Sequence, residues 1–258
     1  MGLNRELNAD SSSSRTSTPP SSSSHASVLL SVKEANCVVP SDDGGERTIF
    51  SGLAFDVFAG DVIDITGPSG AGKSSLLTTI AQLNSNGHAD LTLRGRDARQ
   101  MSPQQWRRSV AYVHQKPILV GSTIREALLF PWKLAIHHPA DDRPSDDQLR
   151  SALNEAGLAD ISLDRPIHDV SGGQLARISL LRTLLTHPAV LLADEIDAAL
   201  DSNADQRIEH FIYRESQERG MAVIRVRHRA GDGLANRVWE LSDGHLHARA
   251  HVTRSLQK

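Results

Sequence analysis

The chain has little net charge, one cysteine and no long apolar run, and each shortage narrows what it can be. Across 258 residues, 28 basic and 31 acidic side chains leave a formal charge of −3. With no global basic field, nothing in the composition draws the chain toward nucleic acid or anionic lipid. No stretch approaches the roughly 18 uninterrupted apolar residues of a membrane span. The opening Met1-Gly2-Leu3-Asn4-Arg5-Glu6 lacks the apolar centre of a secretory leader, and Glu6 stands where a myristoylation motif carries Ser or Thr. The lone Cys37 excludes an internal disulfide and fits a reducing compartment. No motif surrounds it, so it reads as a small strand residue. These absences lead to the expectation of a soluble cytoplasmic protein, built as one large domain or a domain with a subdomain.

What is present begins with a low-complexity segment. Ser11 to Ser24 is Ser, Thr and Pro apart from Arg15. Such a stretch cannot bury enough apolar surface to offset its ordering entropy, so residues 1–27 are expected to form a disordered tail. From Val28 the pattern becomes globular. Val28 to Val39 and Thr48 to Phe58 read as strands, followed by strands at Val62–Thr66, Ala89–Arg94, Ser109–His114, Ala189–Asp194 and Ala222–Val226. Helices are expected from Lys73, over Pro103–Arg108 behind Ser102, across much of Thr123–Asp160 with Ser145 as a cap, and over Gly172–His187 and Asn203–Glu218. Ser242-Asp243-Gly244 turns a final hairpin. Alternating strands and helices predict an α/β core with parallel strands.

The run Gly67-Pro68-Ser69-Gly70-Ala71-Gly72-Lys73-Ser74 sits between an apolar strand and a helix start, the setting a phosphate-binding loop requires. Its glycines let successive N–H groups turn toward phosphates, and the following helix points its positive end at them. Lys73 is the residue to reach the β- and γ-phosphates, and the Ser74 hydroxyl is a Mg²⁺ ligand. Further on, Ala189-Val190-Leu191-Leu192-Ala193 ends in Asp194-Glu195. Beside a phosphate loop, Asp194 can hold Mg²⁺ and Glu195 can orient or deprotonate the attacking water. Ser171-Gly172-Gly173-Gln174, at a helix start, offers bare N–H groups and a hydroxyl as a second phosphate-binding surface.

With these runs in this order the chain resembles the ATP-binding subunit of an ABC transporter, over roughly Val28 to Ala248. The resemblance implies an α/β P-loop NTPase fold of the ABC ATPase type. That fold has a RecA-like parallel-sheet core, an antiparallel β subdomain and an inserted helical subdomain at about 116–170, leaving 249–258 as a tail. It implies ATP and Mg²⁺ as cofactors, with the loop Gly67–Ser74, Ser75, the signature Ser171–Gln174 and Asp201 at the nucleotide. It also implies that Gln115 senses Mg²⁺ and water and links to the membrane partner. Asp201, after Ala199-Leu200, lies in the turn that communicates across a dimer, and His228 contacts the γ-phosphate. Lys73, Gln115, Glu195 and His228 thus form the catalytic set, with Ser74, Gln115 and Asp194 at the metal. Because the signature of one subunit closes on the nucleotide of another, an ATP-dependent homodimer on a separate transmembrane permease is expected, peripheral to the inner face of the cell membrane.

Three positions depart from the family pattern. Val38-Val39-Pro40 stands where an aromatic residue usually stacks on adenine, Ile196 replaces a common proline, and Arg227 precedes His228 where a small hydroxyl residue is common. The segment Gly121 to Trp132, with Ile196, resembles the iron-export ATPase subunits of bacteria and the plant ATPases linked to aluminium tolerance. Metal export is therefore the expected cargo class, against another substrate, an uptake system or a non-transport ATPase of the same type. Phe130-Pro131-Trp132 either lines a groove for a permease helix or packs a core with Trp132. His137, His138, His245, His247 and His251 read as surface residues, since no Cys or acidic cluster completes a metal site.

Overall fold

In the computed structural model, residues 27–41, 43–116, 118–136, 143–196, 202–227 and 232–249 are described, without the side chains of 202–205. Asp201, His228, His137, His138, His251 and the Ser-rich stretch lie outside the described residues.

The long strands β1 (Val28–Pro40) and β2 (Glu46–Phe58) pair antiparallel, and β4 (Gly87–Leu93) and β5 (Arg96–Asp97) complete a four-stranded sheet in the order β2-β1-β4-β5. A second sheet has the order β10-β9-β3-β8-β7-β6. In it, β3 (Val62–Thr66), β6 (Val110–Val113), β7 (Val190–Asp194), β8 (Ala222–Val226) and β9 (Arg237–Ser242) run parallel, and only β10 (His245–Arg249) is antiparallel. Every residue of β7 and β8 is buried, which is why these strands read as near-continuous apolar runs. The fold is α/β, with a parallel core sheet and an antiparallel sheet beside it, as the resemblance implies.

Helix α1 (Lys73–Ile80) follows β3 directly. Helices α2 (Pro103–Ser109), α4 (Asp146–Glu155) and α5 (Gly172–Leu184) each open on a reciprocal capping box, from Ser102 with Gln105, Ser145 with Gln148 and Ser171 with Gln174. Between β6 and α5, the expected helical run is broken into α3 (Ile124–Leu128), a 3-10 turn at Phe130–Lys133 around Pro131, and α4. Pro131 has no N–H to continue α3, so the chain tightens there. Helix α6 (Ser202–Arg219) covers β8.

Two apolar clusters hold these layers. One joins the two sheets around Phe50, Ile63, Leu76 and Trp106, with Cys37 buried in it as a small strand residue. Trp106 is fully buried and its indole N–H donates to the Ile80 carbonyl at 2.8 Å, so the large ring brings no unsatisfied donor inside. The other joins α3, α4, α5 and α6 to the far face of the parallel sheet. Trp132 belongs to this cluster, which decides for core packing at that position.

Candidate nucleotide-binding site

Four neighbouring parallel strands deliver the predicted residues to one edge. The carboxyl ends of β3, β8, β7 and β6 lead into Gly67, Arg227, Glu195 and Gln115, and ligands of open α/β sheets bind at such an edge. Gly67 adopts φ 138°, and a Cβ there would lie 2.2 Å from the Leu241 carbonyl oxygen of β9. Gly72, at φ 96°, would place a Cβ 2.3 Å from Ile49 Cγ2 of β2. Only glycine permits both the left-handed backbone and the close approach, so the loop is seated against both sheets.

Lys73 opens α1 yet is 6% exposed, and its ammonium donates to the carbonyls of Gly67 (3.0 Å) and Pro68 (2.8 Å). The side chain therefore folds back over the loop mouth. The hydroxyl of Ser74 donates to Asp194 Oδ1 at 2.9 Å, which unites the ends of β3 and β7 across the intervening β8. Gln115 donates through Nε2 to Glu195 Oε2 at 2.7 Å. The structure thus brings Lys73, Ser74, Asp194, Glu195 and Gln115 to one edge. It leaves Ser171-Gly172-Gly173-Gln174 elsewhere on the surface: the Ser171 and Gln174 side chains cap α5, and a Cβ on Gly172 would meet nothing within 4 Å.

Glu195 has φ 51°, and its N–H donates to the Val226 carbonyl at 3.1 Å. Left-handed backbone on a residue with a side chain costs roughly 1–3 kcal/mol and clusters at functional sites. A carboxylate held there can accept a proton. Ser74, Asp194 and Gln115 carry hydroxyl, carboxylate and amide oxygens, the hard donors that suit Mg²⁺, and the Ser74–Asp194 contact already places two of them together.

Two features were not foreseen. The Tyr112 hydroxyl donates to Asp194 Oδ2 at 2.8 Å. Burial, that hydrogen bond and the nearby Asp194 and Glu195 charges push its ionisation well above the ordinary phenol range. Tyr112 therefore remains a donor, and Asp194 is gripped through both oxygens. The second is a buried ionic network: Arg225 joins Asp64 and Asp232, while Arg227 joins Asp232 and Glu209. Asp64 and Arg225 were readable as opposite charges in the middles of apolar strands, but their register was not.

The histidine reading is narrowed further. His245 and His247 share a strand face with ring centroids 6.2 Å apart. Among the described residues, no group of three or more His, Cys, Asp or Glu is placed to hold a metal. Among them, too, no helix is long and apolar enough to cross a membrane.

Comparisons with known proteins agree with this geometry. A family profile described as ABC transporter matches residues 50–198. The chain is 36% identical, over 184 residues, to a protein of Escherichia coli described as the probable iron export ATP-binding protein FetA, covering 71% of this chain and 80% of that one. It is 32% identical to the spermidine/putrescine import ATP-binding protein PotA of Chromobacterium violaceum, over 78% of this chain and 55% of that one. The fold superposes on the dimeric ATP-binding cassette MJ0796 bound to ADP and Pi with a TM-score of 0.71 at 21% identity, covering 86% of this chain and all of that one.

Proposed function

The chain belongs to the ABC transporter family as an ATP-binding, ATP-hydrolysing motor subunit, and within that family we propose that it drives export of a metal ion, with iron foremost. The observation that carries the site assignment is the convergence of Lys73, the Ser74–Asp194 pair and the Gln115–Glu195 pair at adjacent strand ends. The similarity to the FetA protein supports the cargo.

In this reading Gly67–Ser75 cradle the phosphates, and Lys73 exchanges its loop carbonyls for β- and γ-phosphate oxygens. Ser74, Asp194 and Gln115 would hold Mg²⁺, which neutralises phosphate charge when bound. Tyr112 keeps Asp194 aimed at Ser74. Gln115 orients Glu195, which takes a proton from water as the water oxygen bonds to the γ-phosphorus. The bond from that phosphorus to the bridging oxygen breaks, and the electron pair leaves with ADP. His228 and Asp201 act at the γ-phosphate and the dimer turn. Positioning and charge stabilisation supply most of the rate in such reactions.

Cassettes of this family work as dimers with transmembrane partners. The outward-facing Ser171–Gln174 corner supports a homodimer in which each signature closes on its partner's nucleotide. A separate permease is the second partner. A groove of about 380 Å³ beside the sheet, lined by Val110, Ala111, Pro131 and Leu134 together with Arg107, Arg108 and Arg182, suits one of its helices. An import or organic-cargo reading is favoured only by the similarity to the PotA protein.

Elemental content of host cells under metal excess, wild type against Glu195→Gln, tests the proposal. Iron or a neighbouring metal is expected to accumulate selectively in the variant, which hydrolyses no ATP. Equal metal contents in the two strains reject metal export.

A further inference from the structure

The buried ionic network lies behind the reaction edge. Asp64 sits in the middle of β3, opposite Arg225 of β8. Arg225 donates through Nε to Asp64 Oδ1 at 2.7 Å and through its terminal nitrogens to Asp232 at 2.7 and 3.1 Å. Arg227 pairs with the same Asp232 and reaches Glu209 of α6 at 2.8 Å. The side chains of Asp64, Arg225, Arg227 and Asp232 are all under one-tenth exposed. Burial pushes the Asp64 carboxyl upward, and it would push Asp232 the same way. The Arg225 hydrogen bonds and charge nevertheless hold Asp232 well below the usual carboxylate range.

Buried ion pairs seldom add stability over well-packed apolar side chains, so sheet strength alone is a weak reason for five such groups. Their attachment points are more informative. Val226 lies between Arg225 and Arg227, and its carbonyl accepts the Glu195 N–H at 3.1 Å. β3, which carries Asp64, runs two residues further into Gly67 and the phosphate loop. We infer that Asp64, Arg225, Asp232, Arg227 and Glu209 are positioning residues that lock the backbone holding Glu195 against the strand holding the phosphate loop, so that the base meets the γ-phosphate in register. The network reaches Glu195 through Val226, whose flanking residues Arg225 and Arg227 both belong to it. The inference rests on the reading of Glu195 as the base, and it gives the buried Arg227 a role.

The test is steady-state MgATP hydrolysis by the full chain carrying Asp64→Leu with Arg225→Met, a pair that removes opposite charges together. Melting temperature is measured in parallel. The expected result is a fall in kcat of at least about tenfold, with KM for ATP within about twofold and melting close to wild type. A wild-type kcat overturns the inference, as does a loss confined to KM, because a purely structural network would not separate the two constants in this way. If the pair does not fold, Arg227→Gln with Glu209→Gln poses the question at the other end, with the same split expected and a wild-type kcat again decisive against it. Glu195→Gln assayed alongside separates the two readings. If Glu195→Gln still turns over, the base assignment fails; if it is inactive while both network variants are fully active, the positioning inference alone fails.

Discussion

Lys73 holds two backbone carbonyls with one ammonium, a geometry that suits the proposed contact with two phosphate oxygens. A charge-assisted hydrogen bond contributes about 1.5–3 kcal/mol, and because the phosphate contacts replace the two loop-carbonyl contacts the net gain is about one such bond. Lys73→Ala is therefore expected to weaken ATP binding by roughly ten- to a hundredfold, read by titration calorimetry. Unchanged affinity would remove Lys73 from the phosphates. Tyr112 makes a different prediction. Its ionisation is raised by burial, the Asp194 bond and the nearby negative charges, so the stabilising phenol is fully present below the unfolded value near pH 10 and is lost as pH rises through the higher folded value. Between wild type and Tyr112→Phe, the gap in melting temperature is expected to hold constant from pH 8 to about 10 and to begin closing from there to pH 11, as the unfolded phenol ionises first. Parallel curves would show that the Asp194 bond does not contribute. Lys73, Ser74 and Glu195 were legible because their motifs are local runs with a known job. Tyr112 was not, because nothing around it in sequence announces that β6 will lie beside β7, 82 positions from its partner Asp194.

The element that makes the site is the turn from β3 into α1, and its geometry depends on two glycines for different reasons. Gly67 meets backbone, the Leu241 carbonyl, which cannot move without unzipping β9 from β3. Gly70 also has positive φ, at 78°, but a Cβ there meets nothing within 4 Å. Gly67→Ala is therefore expected to lower the melting temperature and abolish ATP binding, while Gly70→Ala bears only the left-handed backbone strain of roughly 1–3 kcal/mol. Differential scanning calorimetry with and without ATP checks the order, and equal effects would mean that contact with β9 is unimportant. The same contrast explains which elements could be read in advance. Caps at Ser102 and Ser145 and the apolar runs of β7 and β8 are local signals, and they fell where expected. The two-residue β5 exists only because β4 offers it an edge, and within the mainly helical 123–160 stretch the 3-10 turn around Pro131 was not marked in advance. Pairing partners and tertiary turns carry no periodic signature.

At the scale of the whole molecule, three of the six large apolar side chains exposed among the described residues lie near one groove. Leu83 and Leu134, each about half exposed, line the groove beside α2. Ile118, 75% exposed, is tied to the same place because its carbonyl accepts from Arg182 Nη1 at 3.1 Å. Single exposed apolar residues need no explanation, but a cluster rimmed by arginines has the composition of a docking surface. Arg182 adds direction to that reading. Burial lowers its proton affinity, and no described carboxylate pairs with it, so an acidic side chain arriving from a partner would be attracted into the groove. If the proposed permease docks here, the segment that suits the groove is a short helix with an apolar face and a Glu or Asp placed toward Arg182. Leu134→Asp with Arg182→Glu reverses both features while leaving Lys73, Ser74, Asp194 and Glu195 untouched. Hydrolysis by the isolated chain is expected to stay within about twofold of wild type, since no reacting group changes. Retention of the chain in the membrane fraction of host cells is expected to fall at least tenfold, because like charges and a buried carboxylate both oppose docking. Sedimentation of both proteins with membranes in equal amounts would move the permease contact to another face, and a matching loss of basal hydrolysis would show that the groove acts on the fold of the site instead.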